Sequence, residues 1–161
     1  MINGKTNKKI SLTDLGNLAE AFAAIGVIIS VIYLSVQIRQ NTRAIRASSY
    51  KGVADGISEF QISLAENKDL ALIYQKGIDD VKQLTPVELT RFEMIIGQLF
   101  VKYDVAVYFY HHNLIDSSAI GPYNKYILFI LKKPGVAVWW EEAKYFYSEN
   151  MRNYIIALKN G

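Results

Sequence analysis

Apolar side chains form one long run near the start of the chain, from Ala21 to Val36. These sixteen residues carry no charge. Adding the apolar residues on either side brings the run close to the roughly 20 residues that a helix needs to cross a bilayer. Glu20 would then lie at the membrane interface or face another helix. The pattern predicts a single membrane-spanning helix.

This run has two other interpretations besides a retained span. A secretory signal needs small residues at a cleavage site after the apolar stretch, whereas Gln37-Ile38-Arg39-Gln40 follows here. A buried core helix remains an alternative, because the length of the run is at the low edge for a span. We favour the retained span over both.

The predicted span has two different faces. Bulky apolar residues occupy one face: Phe22, Ile25, Ile29, Ile32 and Val36. A seven-residue repeat places mostly small or amide residues on the other face, which we call the seam: Gly16, Ala19, Ala23, Gly26, Ser30, Tyr33, Gln37 and Gln40, continuing to Ala44 and Ala47. Small residues let helices pack closely in lipid, although they also occur by chance in spans. With one span per chain, the simplest partner for this seam is a second copy.

The segment after the span carries three arginines on one helical face, Arg39, Arg43 and Arg46. Their long side chains can reach anionic lipid headgroups, or they can form a plain solvated flank. Four basic residues follow the span and three precede it, where Asp14 and Glu20 partly offset them. The positive-inside rule therefore places the C-terminal part in the cytoplasm.

The distribution of charge argues against a nucleic-acid-binding protein. Residues 1–51 carry seven basic and two acidic side chains, whereas the other 110 residues carry eleven basic and thirteen acidic ones. The positive charge thus flanks the span, while a nucleic-acid module would carry it on the folded domain. The chain has no cysteine, which excludes disulfides, thiol catalysis and cysteine-zinc sites.

The remainder of the chain shows the spacing of several amphipathic helices. One apolar stripe runs through Tyr50, Val53, Ile57, Phe60 and Leu64, lightly interrupted by Gly52 and Gly56. The expected helices after it span residues 68–76, 86–112, 123–133, 136–147 and 149–158. The expected breaks are Gly77 with a loop over residues 78–84, residues 113–122, and Pro134-Gly135.

Helix starts are marked by residues that cap free backbone N–H groups. Thr85, Pro86 and Glu88 form a capping-box pattern, the clearest such signal in the chain. Thr13 is one possible cap for the first helix, and Ser148 is one for the last. Val87 opens the long helix that follows Thr85, whose broad apolar face predicts a central core helix.

No group of residues predicts catalysis or metal binding. The only histidines, His111 and His112, are adjacent, and neighbours on a helix do not chelate as a pair four residues apart does. Glu141 and Glu142 also point in different directions. We therefore predict no catalytic residue, no metal and no cofactor.

Aromatic residues are dense, with eleven tyrosines, seven phenylalanines and two tryptophans. The triplets Tyr108-Phe109-Tyr110 and Tyr145-Phe146-Tyr147 suggest three roles. A core role ranks first because aromatic side chains bury large areas. A place at the membrane interface ranks second, and a ligand groove third.

Two stretches of the sequence stand out together, an Arg/Gln/Asn juncture after the predicted span and a late Pro-Gly and Trp-Trp pattern. Their residues are Gln37, Arg39, Gln40, Asn41, Thr42, Arg43 and Arg46, then Pro134, Gly135, Trp139 and Trp140. With the N-terminal span and the helical middle, this combination resembles an uncharacterised family of short bacterial inner-membrane proteins. The resemblance implies a bacterial inner-membrane location and supplies no catalytic residue.

These observations lead to a specific expectation. The fold is all-α, with a polar tail at residues 1–11, a transmembrane helix and its extension at residues 12–47, and a bundle of about five helices at residues 48–161. The expected function is that of a non-enzymatic, self-associating membrane protein that presents its helical domain for scaffolding or partner binding. Its expected partners are membrane lipids and further copies of itself, without nucleic acid or an identified small-molecule substrate.

The alternative function is a homo-oligomeric channel. In a ring of copies, the polar face of the first helix would line a pore through Gln37, Gln40 and either Glu20 or Ser30, because polar groups at membrane depth face protein or water.

Overall fold

A computed structural model describes residues 11–160 of the chain, so the predicted tail lies outside the described residues except for Ser11. Within this range no strand occurs, and the prediction of an all-α fold is confirmed. Short 3₁₀ turns occupy Val81–Gln83 and Lys144–Phe146. The α-helices are α1 (Leu12–Glu66), α2 (Lys68–Asp79), α3 (Pro86–His111), α4 (Ser117–Leu131), α5 (Pro134–Ala143) and α6 (Glu149–Asn160).

The chain divides into two compact units, Met1–Ala44 and Ile45–Gly161, and the division falls inside α1. In the first unit, every described side chain is exposed. Among residues 11–160, α1 is the one helix long and apolar enough to cross a membrane, and its most apolar stretch is not buried at all. A core helix of a soluble domain would be mostly buried, so this exposure favours a span.

The start of α1 differs from the predicted one. The Ser11 hydroxyl accepts a hydrogen bond from the Thr13 N–H at 3.2 Å, and the Ser11 N–H donates to the Asp14 carboxylate at 3.2 Å. Ser11 therefore occupies the capping position that the sequence suggested for Thr13. The reciprocal bonds satisfy backbone and side chain together, as in a capping box.

In the second unit, α3 is the central helix. Ala106 is buried, as are all the large residues that the sequence places on the apolar face after the first turn: Phe92, Ile95, Ile96, Leu99, Phe100, Tyr103 and Val107. The predicted capping box at its start is confirmed, since Glu88 N–H donates to the Thr85 hydroxyl at 3.3 Å and Thr85 N–H donates to the Glu88 carboxylate at 2.9 Å. Val87, which opens this helix, is exposed.

The second unit begins with the last turns of α1, whose buried positions are Ser49, Val53, Gly56 and Phe60. The predicted stripe was partly wrong, because Tyr50 is exposed. Gly56 was expected to interrupt the stripe, but it belongs to the contact face. A Cβ built on Gly56 would lie 3.0 Å from Cδ of Lys102, so the missing side chain gives the lysine stem its space.

The helix α2 runs two residues beyond its predicted stop. Asn67 caps it, accepting from the Leu70 N–H at 3.0 Å, and the helix ends at Asp79 rather than at Gly77. The expected loop after it contains the 3₁₀ turn Val81–Gln83. Gly77 is buried inside α2, where its lack of a side chain serves packing instead of a helix stop.

Two prolines that the sequence predicts to be helix breaks lie inside helices. The Asp116 side chain accepts from the Ser118 and Ala119 N–H groups at 2.9 and 3.1 Å, so α4 begins at Ser117 and includes Pro122. Pro134 is the first residue of α5, where its missing N–H would have had no partner in any case.

The chain after α5 changes helix type before the last helix. α5 ends at Ala143 and a 3₁₀ turn continues to Phe146. Ser148 caps α6 as predicted, with its hydroxyl accepting from the Met151 N–H at 3.1 Å. The carboxylate of Asp104 on α3 accepts from the Ser148 N–H at 2.9 Å and from its hydroxyl at 2.5 Å, which ties the start of α6 to the central helix.

Candidate functional site

The predicted seam lies along α1, and all eight of its residues are exposed: Gly16, Ala19, Ala23, Gly26, Ser30, Tyr33, Gln37 and Gln40. A Cβ built on Gly16 or on Gly26 meets no atom within 4 Å. No contact within their own chain therefore requires glycine at these two positions. They leave room for another helix to approach the backbone closely.

The polar side chains of the seam bond within their own helix. The Ser30 hydroxyl donates to the Gly26 carbonyl at 2.8 Å. The Gln37 amide donates to the Tyr33 hydroxyl at 2.7 Å. A polar group in hydrocarbon is costly unless it has a hydrogen-bond partner, so these internal bonds lower the cost of placing the seam in lipid.

The three predicted headgroup arginines are exposed, and none forms an ion pair with a residue in the described part of the chain. Arg39 and Arg43 belong to the first unit, whereas Arg46 belongs to the second. Arg46 lines a cleft of about 550 Å³ together with Tyr50, Tyr110 and Asp116. Only one member of the predicted triplet thus contributes to a cleft.

The acidic group in this cleft already has partners. Hydrogen bonds from the Ser118 hydroxyl and the Ala119 N–H, with a smaller contribution from the charge of Arg46, hold the pKa of Asp116 below its usual value. The Asp116 carboxylate therefore fills the positive N-terminus of α4 that an external anion would otherwise use. The cleft offers no bare anion site.

The histidines lie at the end of α3 and are exposed. The ring centroid of His112 lies 4.2 Å from that of Tyr108, and that of His111 lies 5.7 Å from that of Tyr154. Across residues 11–160, no group of three or more metal-binding side chains comes together. Both histidines therefore pack against aromatic rings at the end of α3.

The adjacent acids of α5 have different surroundings, as predicted from their directions. Glu141 forms an ion pair with Lys144, and this contact holds the pKa of Glu141 below its usual value. Glu142 instead lines a groove between α3 and α5. The two carboxylates do not converge on one position where acid–base chemistry could occur.

The aromatic residues divide between the core and the surface. Phe100 lies at the centre of a buried cluster, with its ring centroid 5.1 Å from Trp139 and 4.9 Å from Trp140. Tyr145 and Phe146, in contrast, are strongly exposed. The core role fits the tryptophans, and the exposed pair needs another explanation.

A groove of about 450 Å³ lies beside this aromatic cluster and was not predicted from the sequence. We call it the α3–α5 groove. Gly97 and Val101 of α3 line one side, and Trp139, Ala143 and Phe146 line the other. The two sides are about forty residues apart in the sequence, so local periodicity gave no signal for them.

A partly buried polar network also escaped prediction. The Tyr103 hydroxyl donates to Asn124 at 2.7 Å, and the Asn124 amide donates to the Tyr154 hydroxyl at 2.9 Å. Burial raises the pKa of Tyr103 well above its usual value. The network joins α3, α4 and α6 and has the character of a structural contact, because the phenol stays protonated.

No protein-family model, curated protein or solved structure matches this chain.

Proposed function

We propose that this chain is a single-span bacterial inner-membrane protein that self-associates through the seam of α1 and presents its helical domain for scaffolding or partner binding, without catalysis. The observation that carries the proposal is the complete exposure of the most apolar stretch of α1. So much apolar surface facing water would be strongly unfavourable. A bilayer and a second helix together cover it.

The contrast between the two faces of α1 supports self-association. The seam combines open glycines with polar groups that bond internally, whereas bulky side chains occupy the other face. Since lipid gives no hydrophobic force between helices, close approach along small residues is what stabilises such a pair.

The same hydrogen bonds favour a packed seam over the alternative, a pore. Ser30 and Gln37 each already have a hydrogen-bond partner on their own helix, so they can lie in a dry contact between helices without water to pair them. Conductance measured in planar bilayers, and altered by Gln37→Leu, would contradict the packed seam.

A pair of neighbouring alanines provides a matched test of self-association. Ala23→Leu adds bulk on the seam, and Ala24→Leu makes the same change well away from it. In liposomes, single-molecule photobleaching of the labelled full chain should show that Ala23→Leu shifts the population toward one copy, while Ala24→Leu matches the unmodified chain. Equal effects of the two substitutions would contradict the proposal.

The side of the membrane on which the helical domain lies can be tested separately. The basic residues after the span place the helical domain in the cytoplasm in our proposal. A C-terminal green fluorescent protein fusion should fluoresce in bacterial cells, and a C-terminal alkaline phosphatase fusion should be inactive. The reverse pattern would contradict this orientation and leave the seam untouched.

A further inference from the structure

The face of α3 that points away from the core carries a regular apolar stripe. Val87, Met94, Val101 and Tyr108 occur at intervals of seven residues. Their exposed fractions are 71%, 68%, 53% and 52%. We call these four residues the α3 stripe. The core of the second unit is on the opposite face, so the fold itself gives no reason for the stripe.

The seven-residue interval indicates the shape of a partner. Two helices that wrap around each other bring the same face together every seven residues. A stripe that keeps this interval over three repeats, a length of about 30 Å, suits a helix that lies along α3. A flat membrane surface would not require this spacing.

The α3–α5 groove adjoins the stripe, and Met94 and Val101 belong to both. Trp139 and Gly97, which has no side chain, also line the groove. Phe146 stands at its rim with an exposed fraction of 88%. A groove of this size can receive large apolar side chains from a helix lying on α3.

The charged residues at the groove indicate the sign of the charge that a partner carries. Glu93 and Glu142 line it, and no lysine or arginine does. Neither acid forms an ion pair within residues 11–160, whereas nearby Glu88 and Glu141 are paired with Lys76 and Lys144. The two free carboxylates repel anionic lipid headgroups and attract a cationic segment.

Basic residues on the other side of the α3 stripe do not cancel the negative charge at the groove. Arg91 lies near its start, away from the groove, and Lys102 forms an ion pair with Glu59 at 2.9 Å. The acidic side of the α3 stripe is therefore the side that has a groove.

We propose that the α3 stripe and the α3–α5 groove together bind a basic amphipathic helix of a partner protein. Its apolar residues would follow the stripe and enter the groove, and its lysines or arginines would meet Glu93 and Glu142. The inference builds on the partner-binding part of the proposed function and is independent of the α1 seam. Cross-linking along α1 can fail without affecting it.

Synthetic peptides provide the probe for this site. One 21-residue peptide carries Leu at the first and fourth positions of each seven and Lys on the flanks, and a second replaces every Lys with Glu. The full chain is placed in phosphatidylcholine nanodiscs, and empty nanodiscs give the background. We expect the Lys peptide to bind roughly tenfold more tightly than the Glu peptide, and less tightly as salt rises.

Matched variants locate the binding. The double change Glu93→Gln and Glu142→Gln should weaken binding of the Lys peptide by about tenfold. The control, Glu66→Gln with Glu149→Gln, removes the same charge elsewhere and should leave binding unchanged. Phe146→Ser should weaken binding of the Lys peptide by roughly thirtyfold. The control, Phe129→Ser, changes another exposed phenylalanine and should leave binding unchanged.

Three results would overturn the inference. They are equal binding of the two peptides, equal effects of the groove variants and their controls, and loss of self-association by Phe146→Ser without any peptide. The last result would show that a second copy of the chain occupies the groove.

Discussion

Gly77 and Gly135 meet backbone to backbone where α2 crosses α5. A Cβ built on Gly135 would lie only 1.8 Å from the Gly77 carbonyl oxygen. A Cβ built on Gly77 would lie 2.3 Å from the ring of Phe92, the first large core residue of α3. The contact brings three helices together and leaves no space for a side chain at either glycine.

Gly135→Ala should therefore destabilise the helical domain by about 2–4 kcal/mol, because backbone has to move to admit the methyl group. Gly52→Ala is the control, since a Cβ at Gly52 meets nothing within 4 Å. Removing glycine from an exposed helix position should stabilise it by about 0.5–1 kcal/mol. Urea unfolding of the full chain in detergent, followed by tryptophan fluorescence, measures both. Equal stability of the two variants would contradict the crossing.

Asn124 links two tyrosines that come from different helices. Asn124→Leu leaves the buried Tyr103 hydroxyl without its partner, and it should cost about 2–3 kcal/mol of unfolding free energy. Tyr154→Phe removes only the less buried end of the network, and we expect about 1 kcal/mol. The same unfolding measurement compares them. If Tyr154→Phe proved the more damaging change, the network would not be centred on Asn124.

Alkaline pH should destabilise the protein through Tyr147. Burial raises the pKa of Tyr147 from 10.0 to about 12. The unfolded chain therefore loses this proton at lower pH than the folded chain does. The stabilising contribution is complete below pH 10 and is lost between pH 10 and 12, by about 2–3 kcal/mol.

Tyr147→Phe should reduce this loss of stability between pH 10 and 12, whereas Tyr145→Phe should not, because Tyr145 is exposed. Thermal melts at stepped pH, followed by circular dichroism, check the difference. Parallel curves for the two variants would show that Tyr147 titrates in the folded protein as it does in the unfolded chain.

Local chemistry could be predicted from the sequence, and contacts between distant segments could not. The Thr85 cap depends on residues within one helical turn, and its prediction was right. Gly77 looked like a helix stop because its real constraint comes from Gly135, almost sixty residues later. Pro122 looked like a break because proline is rare inside helices, but Asp116 caps α4 six residues earlier.

The same distinction applies to the candidate sites. The seam of α1 is a prediction from spacing within one helix, and it stays a prediction because only a partner would bury it. The α3 stripe has an equally simple spacing, but Val87 was predicted only to open α3, and Met94 was assigned to no face. The groove beside the stripe requires Trp139 and Phe146 to reach α3, which depends on tertiary packing.

The central claim, that copies meet along one face of α1, has a direct test because the chain contains no cysteine. Single cysteines are placed at each position from 22 to 33 of the full chain in bacterial membranes, and an oxidant forms disulfides between copies. We predict maxima at Ala23, Gly26, Ser30 and Tyr33, and minima at Phe22, Ile25, Ile29 and Ile32. Cross-linking that is absent throughout, or that peaks at the bulky positions, would contradict the claim.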